Sequence, residues 1–190
     1  MPIYNAPLAD MRFILNEVFN AEQFWQANEN LAHVDAATAE AILEEMAKFA
    51  QNVTLPLNRT GDEEGATFSN GQVTTPAGFK QAFKQYAEGG WIGLAADEEW
   101  GGQGMPKMLT VLADEMLFAT NPSFMLYPLL SVGAGMALNS YASQEQKQTY
   151  LPKIYSGEWS GTMCLTEPHA GTDLGIIKTK AEPNSDGSYN

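Results

Sequence analysis

Cys164-Leu165-Thr166-Glu167-Pro168-His169-Ala170-Gly171-Thr172-Asp173-Leu174-Gly175 lies where this chain changes character. The residues leading into it, Trp159-Ser160-Gly161-Thr162-Met163-Cys164-Leu165-Thr166, are types that suit a β-strand. A strand ending at Thr166 then meets a compact loop of Pro, Gly and hydroxyl residues. Such a loop can turn backbone N–H groups and the hydroxyls of Thr166 and Thr172 toward one ligand. Those donors suit the carbonyl oxygens and ring nitrogens of a planar heterocycle, or phosphate oxygens. Glu167 and Asp173 can also be read as a carboxylate pair for acid–base work, though hydrogen bonding within the loop is the simpler reading. On the residues alone, a ligand loop and a plain turn both stay open.

Downstream, residues 176–181 alternate imperfectly and predict a second strand, and Asn184-Ser185-Asp186-Gly187-Ser188 predicts a hairpin turn. The sequence stops two residues later, and an isolated two-stranded piece is marginal in water. The expectation is therefore an N-terminal fragment of a longer protein, cut inside a β domain.

Upstream, the pattern is helical. Residues 9–24 carry Phe13, Val18 and Phe24 and predict a first helix. Asp35 is an N-cap for a helix with Ile42, Met46, Phe49 and Val53 on one face, ended by residues 54–56. Residues 59–72 are polar and read as a loop. Thr75-Pro76 opens a helix with the stripe Phe79, Phe83 and Tyr86, and Gly89-Gly90 stops it. Glu99-Trp100-Gly101-Gly102-Gln103-Gly104 is a tight turn and only a weak match to a phosphate loop. Pro106 opens a helix facing inward with Leu109, Leu112, Met116 and Ala119, and Asn121-Pro122 breaks it. Ser143 with Gln146 fits a capping box for a short helix ending near residues 151–152. The count is five or six helices.

The 190 residues allow one domain or one and a half, and 44% hydrophobic residues are enough for a packed core. Twenty-three acids against ten bases give a charge of −13, which argues against nucleic acid as a partner. Residues 1–100 hold 15 acids and 5 bases and the remainder 8 and 5, so the acidic part reads as the solvated one. No Lys/Arg cluster suits an anionic membrane. The uncharged run 116–144 contains too many polar residues and breaks for a membrane span and predicts a fully buried helix or helix pair. Gly133 and Gly135 would let helices approach closely there. The single Cys164 cannot form an internal disulfide, and Met1-Pro2-Ile3-Tyr4-Asn5 is not the start of a signal peptide. The expectation is a cytoplasmic protein. His33 and His169 are the only histidines, which leaves no multi-ligand zinc pattern. Nucleophile-elbow, P-loop and dinucleotide motifs are also absent from the sequence.

The quoted segment closely resembles the flavin-contacting signature of acyl-CoA dehydrogenases: a small residue, an aliphatic, Ser/Thr, Glu, two residues, a small residue, Gly, Ser/Thr, Asp. Cys164-Leu165-Thr166-Glu167, Ala170-Gly171-Thr172-Asp173 and Gly175 all fit it. Gly93-Leu94 with residues 98–104, and residues 144–151 with Gly157-Glu158, resemble other parts of the family in family order. Residues 4–13 resemble the N-terminal extension of a larger subgroup that acts on acyl-CoA thioesters, some of them sulfur-containing.

The resemblance implies a mainly α chain. It would have an extension at 1–34, an α-helical bundle domain at 35–157, and at 158–190 the first strands of a β-barrel-like middle domain. It implies FAD as cofactor, an acyl-CoA substrate in fatty acid metabolism, and an electron-transfer flavoprotein-like acceptor. It also implies a homo-oligomer at full length. By position, Met163, Leu165 and Thr166 would contact the flavin ring, although Met163 stands where aromatics are common. Gly171 and Thr172 would lie near the cofactor, and Thr172 also near the CoA part of the substrate. The family's catalytic Glu lies in the C-terminal domain, so no residue of this chain is expected to be the base. The acyl pocket would be shaped partly by the N-terminal helices. Phe83, Tyr86, Met105, Met108, Leu109, Leu112, Phe124 and Tyr127 are candidates there, though each reads first as core. Two alternatives remain: a flavin oxidase or monooxygenase on the same scaffold, and a non-catalytic helical interaction module.

Overall fold

The structure is a computed structural model that describes residues 3–190; Met1 and Pro2 of the leader reading lie outside it. The first expected helix is interrupted. α1 (Leu8–Phe13) runs into a π-helical turn at Ile14–Val18, Asn20 takes a left-handed conformation, and α2 (Ala21–Gln26) follows. Asn tolerates that conformation better than most residues, so the break falls there. The wider π turn also rotates the buried face. Met11, Leu15 and Trp25 go inside, while Phe13, Val18 and Phe24 are exposed.

Asp35 caps α3 (Ala36–Phe49) as expected, accepting from Thr38 N at 2.7 Å. The inward face is centred on Ala39, Leu43, Met46 and Ala47, with Ile42, Phe49 and Val53 flanking it half-buried. Residues 54–56 do not end the helical run. A π turn at Ala50–Thr54 leads into α4 (Leu55–Glu64), where Pro56 sits in the first turn and needs no N–H. The expected loop at 59–72 is therefore helical as far as Glu64. It is followed by a hairpin of β1 (Thr67–Ser69) and β2 (Gln72–Thr74), with Phe68 opposite Val73. Asn70-Gly71 turns it with both residues left-handed, the geometry an Asn-Gly hairpin demands.

α5 (Phe79–Glu88) starts after the left-handed Gly78 rather than at Thr75-Pro76, and it stops at Gly89-Gly90. α6 (Lys107–Thr120) has Pro106 at its N-cap and buries Leu109, Leu112 and Met116, whereas Ala119 is exposed. α7 (Pro122–Tyr141) is capped by the Asn121 side chain on Phe124 N at 3.0 Å. α8 (Gln144–Tyr155) has the full capping box and continues through Pro152. Eight α-helices, more than the expected five or six, thus occur among the described residues.

α3 packs on α6, α6 on α7, α7 on α8, and α1 on α3. Arg12 reaches from α1 to the Glu40 carboxylate, holding it below the usual carboxylate range. One core cluster runs from Met11 to Met125. Inside it, the Thr54 and Thr120 hydroxyls meet at 2.7 Å, and Asn121 Nδ2 donates to Thr54 O at 3.2 Å. The uncharged run is not fully buried: α7 shows Leu126, Tyr127 and Met136 to solvent. Gly135 does allow close approach, since a Cβ there would meet the Tyr155 ring at 2.7 Å, but Gly133 faces open space. No helix among the described residues is long and apolar enough to cross a membrane.

Beyond α8 the expected strands at 159–166 and 176–181 do not form. A strand needs a partner to complete its ladder, and none lies beside them among the described residues. Two isolated bridges stand instead, Glu167 with Ala170 and Pro183 with Tyr189. The turn at 184–188 is present, with Asn184 N donating to Ser188 O at 2.8 Å and Gly187 left-handed. The architecture is mainly α, as the sequence led us to expect.

Candidate functional site

The tail is moored to the helices at its base. Gly161 N donates to the buried Ser131 hydroxyl of α7 at 3.1 Å, and a Cβ on Gly161 would lie 2.4 Å from Ala134 Cβ. Trp159 packs at a tilt against Tyr150 and lies under Lys153 Nζ, 4.2 Å from the ring centroid. Past this mooring the chain turns sharply, Glu167 and Ala170 exchanging both backbone hydrogen bonds at 3.0 and 3.1 Å. The Glu167 carboxylate then accepts from Lys178 N at 3.0 Å, Thr179 N at 2.9 Å and the Thr179 hydroxyl. Those donors, the Thr179 hydroxyl first, hold its pKa below the usual range. His169 Nε2 lies 3.3 Å from the same carboxylate and 3.2 Å from Ile176 O. Asp173 accepts from Gly175 N at 3.0 Å and caps a 3₁₀ turn at Leu174–Ile176. Glu167 and Asp173 are thus occupied in loop hydrogen bonding, as the simpler sequence reading held.

Met163, Leu165, Thr166, Gly171 and Thr172 are all exposed, Met163 at 67% and Leu165 at 42%. Among the described residues no hydrogen bond engages the main chain of 163–166. Cys164 is exposed between Met163 and Leu165. Two apolar side chains, free main-chain donors and acceptors, and two threonine hydroxyls form a donor set suited to a flat heterocycle with polar edges. A flavin ring fits that chemistry.

A second feature lies in the helical bundle. A cavity of about 410 Å³ opens between α5, α6 and α7. Leu94, Met125 and Leu129 make its apolar wall; Tyr86, Thr110 and Asp114 make its polar one. Burial pushes the Asp114 carboxyl up to about 6, with Lys107 opposing that shift. The buried Tyr86 phenol is raised as well, by burial and by the charge of Asp114. Of the candidate pocket residues from sequence, Tyr86 lines this cavity. Leu109 and Leu112 are core, Met105 and Met108 pack half-buried against it, and Phe83, Phe124 and Tyr127 border a different surface groove.

Residues 36–158 match the family description "Acyl-CoA dehydrogenase, N-terminal domain". The chain belongs to the acyl-CoA dehydrogenase family. It is 40% identical over 186 residues to the 3-methylmercaptopropionyl-CoA dehydrogenase of Ruegeria pomeroyi, covering 98% of this chain and 32% of that protein. It is 32% identical to the broad-specificity linear acyl-CoA dehydrogenase of Mycobacterium tuberculosis, covering 100% of this chain and 31% of that protein. Among solved structures, an acyl-CoA dehydrogenase from Bacillus anthracis complexed with FAD superposes with a TM-score of 0.68 at 27% identity. That superposition spans 82% of this chain and 26% of that one. The chain therefore spans about a third of the length of the curated relatives it matches.

For this member of the family, sequence reasoning found the loop and missed the polar wall of the cavity. A signal was present: Lys107, Thr110 and Asp114 follow at steps of three and four, a polar stripe beside the apolar one on α6.

Proposed function

We propose that the full-length protein is an FAD-dependent acyl-CoA dehydrogenase that introduces an α,β double bond into an acyl-CoA thioester. The observation that carries this reading is the segment 163–166, whose side chains are exposed and whose main chain makes no hydrogen bond among the described residues, next to the hydrogen-bonded turn at 167–170. When bound, FAD supplies the hydride acceptor, flavin N5. Met163 and Leu165 cover the ring with apolar surface and keep water from it. The Thr166 hydroxyl and the neighbouring main chain orient its polar edge. Gly171 leaves room for close approach, and Thr172 stands beside both the cofactor and the CoA part of the substrate. The α-proton goes to a carboxylate outside this chain, since Glu167 is committed to Lys178 and Thr179. The apolar wall formed by Leu94, Met125 and Leu129 receives the acyl chain.

The division into an extension at 1–34, a helical domain at 35–157 and the start of a β domain at 158–190 belongs to the same proposal. So do a homo-oligomeric full-length protein, an electron-transfer flavoprotein-like acceptor and a cytoplasmic site of action. The test is to purify the full-length protein, record its flavin spectrum, and follow dye reduction with a series of acyl-CoAs under anaerobic conditions. The expected result is a yellow protein that reduces the dye and forms enoyl-CoA. A colourless protein that takes up no FAD would favour a helical interaction module, and turnover only with oxygen would favour an oxidase or monooxygenase.

A further inference from the structure

α7 faces two ways. Met125, Leu129, Val132, Gly133 and Met136 line the cavity between α5, α6 and α7. At about 100° per residue these positions share one side of the helix, and Leu130, Ser131 and Ala134 fall on the other. Gly161 sits against that other side: a Cβ on it would overlap Ala134 Cβ and lie 3.1 Å from Leu130 O. Ser131 is buried at 1% exposure, and its hydroxyl accepts from Gly161 N at 3.1 Å. Helical serines often turn the hydroxyl back to a carbonyl of their own helix. Among the described residues this one bonds only to the tail. Met163 follows Gly161 by two residues, at most about 7 Å along an extended chain. The main chain of 163–166 makes no hydrogen bond among the described residues, so there it is placed from its two ends, the mooring at Gly161 and the turn at 167–170.

We propose that Ser131 is a positioning residue for the dehydrogenation. It ties the segment that meets the flavin to the same helix that walls the acyl cavity, so one rigid element sets the bond to be oxidised against the ring. The inference rests on the acyl-CoA dehydrogenase reading and adds a residue to it. Ser131 does not line the cavity and acts through Gly161. Transfer between bound groups needs the reacting atoms about 3–3.5 Å apart, and a misplacement of about 1 Å caused far from the chemistry can cost 10²-fold.

The test uses full-length holoenzyme of measured FAD content and follows flavin reduction by acyl-CoA in anaerobic rapid mixing. The dependence on acyl-CoA concentration separates binding from the maximal rate. Ser131→Ala should slow the maximal rate by roughly tenfold or more. Half-saturation and FAD content should stay as in the parent, because the cavity wall is untouched. Gly161→Ala, which pushes the tail off α7 from the other side, should slow the rate in the same way. Adding Ala134→Gly clears the overlapping atom and should restore it at full flavin content, a recovery that a stabilising role alone would not give. If Ser131→Ala does not fold, this pair of variants decides the matter. A parent-like rate in Ser131→Ala or in Gly161→Ala overturns the inference and leaves the dehydrogenase reading intact. So does a rate lost only in step with acyl-CoA binding or FAD, or a double variant no faster than Gly161→Ala. Flavin-containing parent protein that no acyl-CoA reduces removes the dehydrogenase reading, and this inference with it.

Discussion

Asn121 stands with no exposed surface at the junction of α6 and α7, and both ends of its amide are used: Oδ1 accepts from Phe124 N and Nδ2 donates to Thr54 O. Asn121→Ala leaves a buried N–H and a buried carbonyl without partners, and each such loss costs about 1–3 kcal/mol. Urea unfolding should show a loss of stability in that range with little change in slope. Asp114 adds a pH dependence of opposite sense to that of an ordinary paired carboxylate. Its folded-state value of about 6 lies above the ordinary 3.8. Its neutral form therefore suits the fold, and the stability it allows is full below about pH 4 and falls as pH rises through 6. Asp114→Asn should match the parent protein near pH 4 and exceed it at pH 7–8 by roughly 1 kcal/mol, after allowing for its partial exposure. Thermal melts at several pH values would read this. Glu167 gives a third residue-scale expectation. In the full-length protein, Glu167→Gln should weaken FAD retention through a looser loop while proton abstraction at saturating FAD survives. A loss of turnover by about 10⁴-fold or more, the scale of removing a chemical group, would show that the base had been placed wrongly.

At the scale of elements, α7 offers a direct probe of the cavity. A Cβ at Gly133 would meet nothing within 4 Å, and Gly133 lines the cavity. Gly133→Leu should stabilise the helix by about 0.5–1 kcal/mol, since mid-helix glycine is unfavourable. It should also shorten the range of acyl chains used, with kcat/KM in the full-length enzyme falling most for the longest. Element ends were legible where a side chain announces them: Asp35, Ser143 with Gln146, and Gly89-Gly90 all do what their types predict. They were illegible where π turns at 14–18 and 50–54 shift the buried face without any residue marking the change. Proline misled in both directions. Pro76 lies before a helix that begins three residues later, whereas Pro56 and Pro152 lie within helices. The Asn70-Gly71 hairpin was overlooked because its strands are three residues each and exposed throughout, so no alternation of burial signalled them. The loop at 164–175 was legible as a hydrogen-bonded turn, yet the partners of Glu167 lie eleven and twelve residues on, beyond any local spacing rule.

For the whole molecule, the helical body and the tail meet at a narrow contact, Gly161 on α7 and Trp159 on α8. Gly161→Val would drive side-chain atoms into Ala134 and toward Leu130 O. Hydrogen exchange in residues 159–180 should then rise while protection in α3 and α6 stays as it was. Equal loss of protection in both parts would mean that the tail and the bundle unfold as one unit. The acidic excess lies mainly in the first hundred residues, 15 acids against 5 bases, while the tail from residue 159 holds four acids against two bases. Cys164, the one thiol of this chain, is exposed beside Met163 and Leu165. It is thus a natural handle for chemistry from outside. A thiol-reactive dye attached there would sit in the segment proposed above to meet the flavin. The rate at which that dye couples, with and without added FAD, would count occupied loops without any assay of turnover.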